Sequence, residues 1–233
     1  MQFQGGKARQ AKAIDAYLKT VDRPCYLEPF VGAGWILAEV ASHFPTVIAG
    51  DIHQDLILMH RALQNGWIPP TDISEDDWWT ARYAEASPHR SYVGYQCSWG
   101  GKWFRGYARN GYASLNGNYA NRGIAGTLRV ADACKAASYV WADYQTFRPN
   151  QHWVVYCDPP YVGTEPISHR RFDTPAFWRL MNAWSDLGAT VLVSEQQAPK
   201  GWQPVLTQDR QTTLGVYNDK RLHSDNLYAK AAR

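Results

Sequence analysis

Cys25-Tyr26-Leu27-Glu28-Pro29-Phe30-Val31-Gly32-Ala33-Gly34 is the stretch whose reading decides the fold. Cys25 to Phe30 reads as a strand that runs into a glycine-containing turn, and Trp35 to His43 follows as a helix. Thr46-Val47-Ile48-Ala49-Gly50 then reads as a short buried strand ending at Asp51. Gln54 to Gln64 reads as a helix that offers Leu56, Ile57, Met59 and Leu63 for packing. Strand, helix, strand, helix is the signature of a parallel α/β sheet.

Working outward, Lys7 to Thr20 reads as a helix with an apolar stripe of Ala11, Ile14, Tyr17 and Leu18, broken by Pro24. Regular elements resume with a helix near Leu128 to Ala137 and strands at Ser138 to Ala142 and Trp153 to Cys157. Thr174 is placed to cap a helix expected from Pro175 to Leu187, with proline at its first position. Ala189 to Val193 is a further strand, and the tail from Gln203 holds two or three short β segments. The periodicity fails from Asn65 to about Gly126, which is rich in Gly, Asn, Trp and Tyr and opens on Pro69-Pro70. Residues 1–65 and 127–233 are therefore expected to form one domain, with 66–126 as a separate insertion.

Composition narrows the class. With 45% hydrophobic residues the chain can build a core, and no run of about 18 apolar residues predicts a membrane span. The start, Met1 to Lys7, has no apolar segment of the secretory kind. Cys25, Cys97, Cys134 and Cys157 are widely spaced and form no CxxC pair, so no metal site is expected, and reduced thiols in a cytoplasmic protein are the plain reading. The net charge is only +3, but its distribution is uneven. No acidic residue occurs from Ser87 to Ala131, a stretch that carries Arg90, Lys102, Arg105, Arg109, Arg122 and Arg129.

Two motifs carry chemistry. The glycines of the first turn let a ligand approach the backbone, and the helix N-terminus behind them favours negative groups. Asp51, about 20 residues past the start of the turn, is placed to bond ribose hydroxyls, or equally to cap the helix that follows it. Asp158-Pro159-Pro160-Tyr161 ends a buried strand. An aromatic amine is a poor nucleophile because its lone pair is delocalised. The Asp158 carboxylate and the Pro159 carbonyl can each accept one amino hydrogen and free that pair. Pro159 and Pro160 hold the carbonyl direction, and Tyr161 can stack on an extruded base. A methyl can then pass in line from a sulfonium donor, with Asp158 stabilising the charge that develops on nitrogen.

Gly5-Gly6-Lys7, Glu28 to Gly34, Asp51-Ile52, Asp158 to Tyr161 and Val191-Leu192-Val193-Ser194 occur in one order along the chain. In this the chain resembles the Dam-like, D12-class DNA adenine N6-methyltransferases, particularly their short phage-type members. The resemblance implies a Rossmann-like S-adenosylmethionine-dependent methyltransferase fold with a mixed, mainly parallel sheet and an inserted target-recognition region. It implies S-adenosyl-L-methionine as donor, a flipped adenine of double-stranded DNA as substrate, and a bacterial cytoplasm as location. It implies donor contacts at Phe3, Gly6, Lys7, Glu28, Pro29, Phe30, Gly32, Gly34, Asp51, Ile52, Asp143, Tyr144 and Asp158, and catalysis at Asp158, Pro159, Pro160 and Tyr161. Ser194-Glu195-Gln196-Gln197 stands where GATC-methylating members commonly carry a Ser-Asn pair, so the resemblance does not extend to that target sequence.

In Ser98 to Arg109 cations interleave with rings and glycines, which suits phosphates and bases. Lys102, Arg105, Arg109, Trp99 and Trp103 are the candidate DNA contacts; a surface loop whose aromatics plug the domain's own core would use the same residues. Other classes fit less of the chain. Methylation of cytosine N4 or of RNA adenine shares the chemistry, but by the same resemblance the cytosine enzymes usually carry Ser in place of Asp158. A nicotinamide oxidoreductase leaves Asp158 to Tyr161 unexplained, and Leu37 stands where its third glycine would be. A DNA-binding protein without catalysis has no use for the tetrapeptide.

Overall fold

The computed structural model describes residues 1–109, 119–160, 172–213 and 220–230. In chain order the elements are α1 (Ala11–Leu18), β1 (Cys25–Glu28), α2 (Trp35–Val40), β2 (Thr46–Asp51), α3 (Gln54–Gln64), α4 (Glu75–Tyr83), α5 (Pro88–Gln96), α6 (Tyr119–Ala133), β3 (Ser138–Trp141), β4 (Trp153–Cys157), α7 (Thr174–Asp186), β5 (Thr190–Glu195), β6 (Trp202–Thr213) and β7 (Lys220–Lys230). The strands form one seven-stranded sheet in the order β3-β2-β1-β4-β5-β7-β6. The first five are parallel. β7 enters antiparallel beside β5, and β6 pairs antiparallel on its outer side. This is the mixed, mainly parallel Rossmann-like sheet expected of the methyltransferase class. Its strand order reverses between β1 and β4, and in open α/β sheets ligands bind outside the carboxyl ends of the strands at such a switch point.

Both faces are covered, which is why β4 reads as an unbroken apolar run. Val154 and Tyr156 pack toward α1 and α2 with Ile14, Leu18, Leu37 and Val40. Val155 and Cys157 pack toward α7 with Phe177, Met181 and Trp184. The tail holds two long strands where two or three short segments were expected.

The segment that lacks sequence periodicity is helical over much of its length, contrary to expectation. Ser74 and Asp77 form a capping box that starts α4. Ser87 caps α5 and Pro88 occupies its first turn. α5 buries Ser91 to Gln96 without interruption, so it shows no two-faced pattern. α6 begins at Tyr119, earlier than expected, and contains Gly123, where any Cβ would meet the Gln96 and Tyr92 side chains. Leu56, Met59 and Leu63 of α3 share one apolar cluster with Trp78, Tyr92, Tyr95 and Phe104. Through that cluster α5 packs on α3, and α4 packs on α5.

Candidate active site

β1 ends at Glu28 and releases the chain into the glycine turn. Gly32 and Gly34 have φ of 49° and 73°, a left-handed backbone that L side chains adopt only with strain. The turn is latched from β2. Gly32 N–H donates to Asp51 Oδ2 at 3.0 Å and His53 N–H donates to Asp51 Oδ1 at 2.8 Å. Asp51 thus joins the turn to the start of α3, and the Ile52 N–H bonds its carboxylate as well. Burial pushes its carboxyl up to about 6 against the pull of those backbone N–H groups. On the other side of the turn, His60 Nε2 donates to the Gly32 carbonyl at 2.8 Å. Its ring lies flat on Tyr139, 4.7 Å between centroids. Burial holds His60 down to about 4, so it is neutral near pH 7.

The N-terminal segment covers this turn. A Cβ at Gly32 would come within 2.9 Å of the Phe3 ring, which itself packs on Tyr95. Gly6 N–H donates to the Phe3 carbonyl at 3.1 Å. Lys7 is buried, with only 6% of its side chain exposed, and its Nζ lies 3.3 Å from Asp158 Oδ1. Asp158 stands just past β4, next to β1 in the sheet. Burial pushes its carboxyl up, Lys7 pulls it down, and the negative charge of Asp225 pushes it up again. Glu28 is buried deeper and accepts from Tyr26 Oη at 2.8 Å. Burial raises its carboxyl well above the usual carboxylate range. Pro159 is buried and Pro160 half-buried, while Tyr161 lies outside the described residues.

At the carboxyl ends of β2 and β3, Ile52 is 49% exposed and its carbonyl accepts from Trp141 Nε1 at 3.0 Å. Asp143 accepts from Gln145 N–H at 2.9 Å and so caps the short turn Tyr144–Thr146. Phe30 and Tyr144 pack 5.1 Å apart beside Phe177. Glycines at positive φ, a partly open Asp51 and exposed apolar groups beside it together suit a nucleoside, with hydroxyls toward the carboxylate and a base against Ile52.

The basic, aromatic run divides in two. Trp99 is 68% exposed on the turn Trp99–Gly101. Trp103 instead packs against His53, Tyr95 and Phe104 at 4.4 to 4.8 Å, under Arg90. Phe104 is buried against Trp78, and Tyr107 Oη donates to the Ile73 carbonyl. Arg109 grips Glu75 with two nitrogens, Nε to Oε2 at 3.1 Å and Nη2 to Oε1 at 2.7 Å. Arg105 is exposed and Lys102 half-buried. No described helix is long and apolar enough to cross a membrane, and no cluster of three or more metal-ligating side chains occurs among the described residues.

Sequence reasoning missed Asp225, Glu195 and His60. Asp225 and Glu195 sit on β7 and β5 and reach the Lys7 cluster only through the sheet. His60 reads as one more polar residue of α3, and only contact with Gly32 gives it a part.

A Rossmann-like sheet with a glycine turn, an acidic residue after the second strand and a carboxylate past β4 is the arrangement that the methyltransferase resemblance leads one to expect. Residues 3–89 match the family described as D12 class N6 adenine-specific DNA methyltransferase, which bears out the resemblance over Gly5-Gly6-Lys7, the glycine turn and Asp51-Ile52. Over 66 residues the chain is 29% identical to the Type II methyltransferase M.CviBI of Paramecium bursaria Chlorella virus NC1A; the match covers 28% of this chain and 25% of that protein. Among solved structures it is similar to yhhF from Escherichia coli (TM-score 0.43, 13% identity, 97% of this chain and 88% of that one). TrmN from Thermus thermophilus is similar at a TM-score of 0.41 and 12% identity, over 98% of this chain and 51% of that one.

Proposed function

We propose that the protein is an S-adenosylmethionine-dependent methyltransferase that methylates adenine N6 in double-stranded DNA. The observation that carries this reading is the Lys7–Asp158 pair at the sheet's switch point, beside a glycine turn latched by Asp51. Lys7 engages Asp158 Oδ1 and leaves Oδ2 for one amino hydrogen of the adenine. The Pro159 carbonyl takes the other, so the N6 lone pair is withdrawn from the ring. S-Adenosylmethionine supplies, when bound, a sulfonium methyl whose carbon–sulfur bond breaks as the N6–carbon bond forms, the electron pair staying on sulfur. Asp158 stabilises the positive charge on N6 and passes the departing proton to water. Gly32, Gly34, Asp51 and Ile52 would hold the donor, with Phe3 closing over the turn.

The adenine must leave the duplex to meet Asp158, and Tyr161 is the residue assigned to stack on it. Target recognition is assigned to residues 66–126. Trp99, Lys102, Arg105 and Arg109 are its candidates for DNA contact, and Arg109 would have to release Glu75 to reach DNA. The test is incubation with labelled S-adenosylmethionine and DNA, followed by digestion and identification of the nucleoside. N6-methyladenine is expected from the wild-type protein and must be lost in Asp158→Ala. N4-methylcytosine, label in RNA alone, or no transfer overturns the reading.

A further inference from the structure

Asp225 lies on β7, far along the chain from Lys7, yet its carboxylate and that of Asp158 reach the same ammonium. Lys7 Nζ is 3.3 Å from Asp158 Oδ1 and 4.0 Å from Asp225 Oδ2. Gln10 Nε2 donates to Asp225 Oδ2 at 2.9 Å. Asp225 is buried, and Leu227, two residues on and on the same face of β7, packs in the apolar core. A buried carboxylate is costly, so packing alone would favour a second apolar residue at 225. A lysine has a long, flexible stem, and one contact leaves its head free to swing. Asp225 adds a second carboxylate to the contact with Asp158.

We propose that Asp225 is a positioning residue for the reaction at Asp158: its carboxylate, steadied by Gln10, holds the Lys7 ammonium against Asp158. The reaction named here rests on the methyltransferase reading, whereas the contact is a property of the folded chain. Among the described residues the charged groups around Asp158 are Lys7 ahead of α1, Glu28 from β1, Glu195 from β5 and Asp225 from β7. Removing the charge at Asp225 therefore acts on Asp158 in two opposite directions. Through space alone it relieves repulsion and lets Asp158 lose its proton at lower pH. By freeing Lys7 it withdraws the cation, and Asp158 holds its proton to higher pH.

Asp225→Asn keeps the shape and an oxygen for Gln10. The carboxyl carbon of Asp158, assigned by comparison with Asp158→Asn, is titrated by carbon-13 NMR in the protein without donor or DNA. Positioning predicts that the midpoint rises in Asp225→Asn by on the order of one pH unit, and that Asp225→Glu restores it. A midpoint that falls or stays put overturns the proposal. Gln10→Ala, which loosens Asp225, should shift Asp158 the same way by less and serves if Asp225→Asn does not fold; no shift there overturns the proposal as well. In the methylation assay the acid limb of kcat should move with the midpoint, about tenfold in rate per unit below the limb, while the KM for donor holds. Wild-type protein that transfers no methyl refutes the function, and the titration still decides the Asp225 contact.

Discussion

Replacing Lys7 by Met removes the cation from the buried cluster and keeps an unbranched side chain of similar length. Lys7 Nζ lies 3.3 Å from Asp158 Oδ1, with 6% and 22% of the two side chains exposed. At that distance an effective dielectric of about 20 gives an attraction of about 5 kcal/mol. Taking both groups out of water cancels much of it. What survives is the shift of about 1–3 pH units that an adjacent opposite charge exerts on a carboxyl, or about 1.4–4 kcal/mol. Asp158 already titrates above the usual range because burial outweighs Lys7. In Lys7→Met it should hold its proton to higher pH still. A carboxyl whose folded midpoint exceeds its unfolded one stabilises the fold below the unfolded midpoint, and that contribution is lost as pH rises through the folded midpoint. The variant should therefore lose stability relative to wild type as pH rises from the wild-type midpoint of Asp158 to its own. Over the same interval the acid limb of methyl transfer should move up. Single-turnover transfer of labelled methyl to duplex DNA, run between about pH 5 and 9 with urea unfolding at each pH, reads both effects. A folded Lys7→Met protein whose acid limb coincides with wild type would refute the reasoning, because Lys7 would then exert no hold on Asp158.

Asp51→Asn should weaken donor binding by about tenfold or more, since an amide cannot accept from both Gly32 and His53 and one hydrogen bond to a charged acceptor is worth about 1.5–3 kcal/mol; unchanged affinity by calorimetry in the folded variant removes Asp51 from the site. Trp99→Ala and Trp103→Ala should separate cleanly. The exposed Trp99 should leave unfolding within about 0.5 kcal/mol and cost DNA affinity about 1–3 kcal/mol if it stacks on a base, whereas Trp103, wedged among His53, Tyr95 and Phe104, should cost about 3 kcal/mol of stability. Equal stability losses in denaturant melts would contradict that division. Glu75→Ala frees Arg109 from its exposed ion pair and should change stability by less than about 1 kcal/mol; if Arg109 serves DNA, affinity rises and its salt dependence steepens, and an unaltered salt slope takes Arg109 out of the interface.

Local sequence determined the architecture of the sheet's first half. An apolar run, a turn of glycines and a helical stripe record which side of each element is buried, and burial is what spacing reports. α3 therefore begins at Gln54 and ends at Gln64 as its stripe predicts. Asp158 falls just past β4 because Pro-Pro cannot continue a ladder. The helices α4 and α5 left no such record. α5 is buried on every side over its last turns, and α4 buries only Trp78 and Ala81, so neither alternates apolar with polar. Composition could mark the run from Ser98 to Arg109 as basic and aromatic, but it could not say which rings turn inward. That depended on Gly94, whose missing side chain makes room for Trp103 and Phe104. Only the tertiary structure decided that Lys7, Asp158 and Asp225 share one pocket. Lys7 and Asp225 are brought together because β7 enters the sheet antiparallel beside β5, and no local pattern encodes where a chain will return. Charge pairs of that kind are set by long-range geometry, and their consequence for the protonation of Asp158 exists only in the folded state.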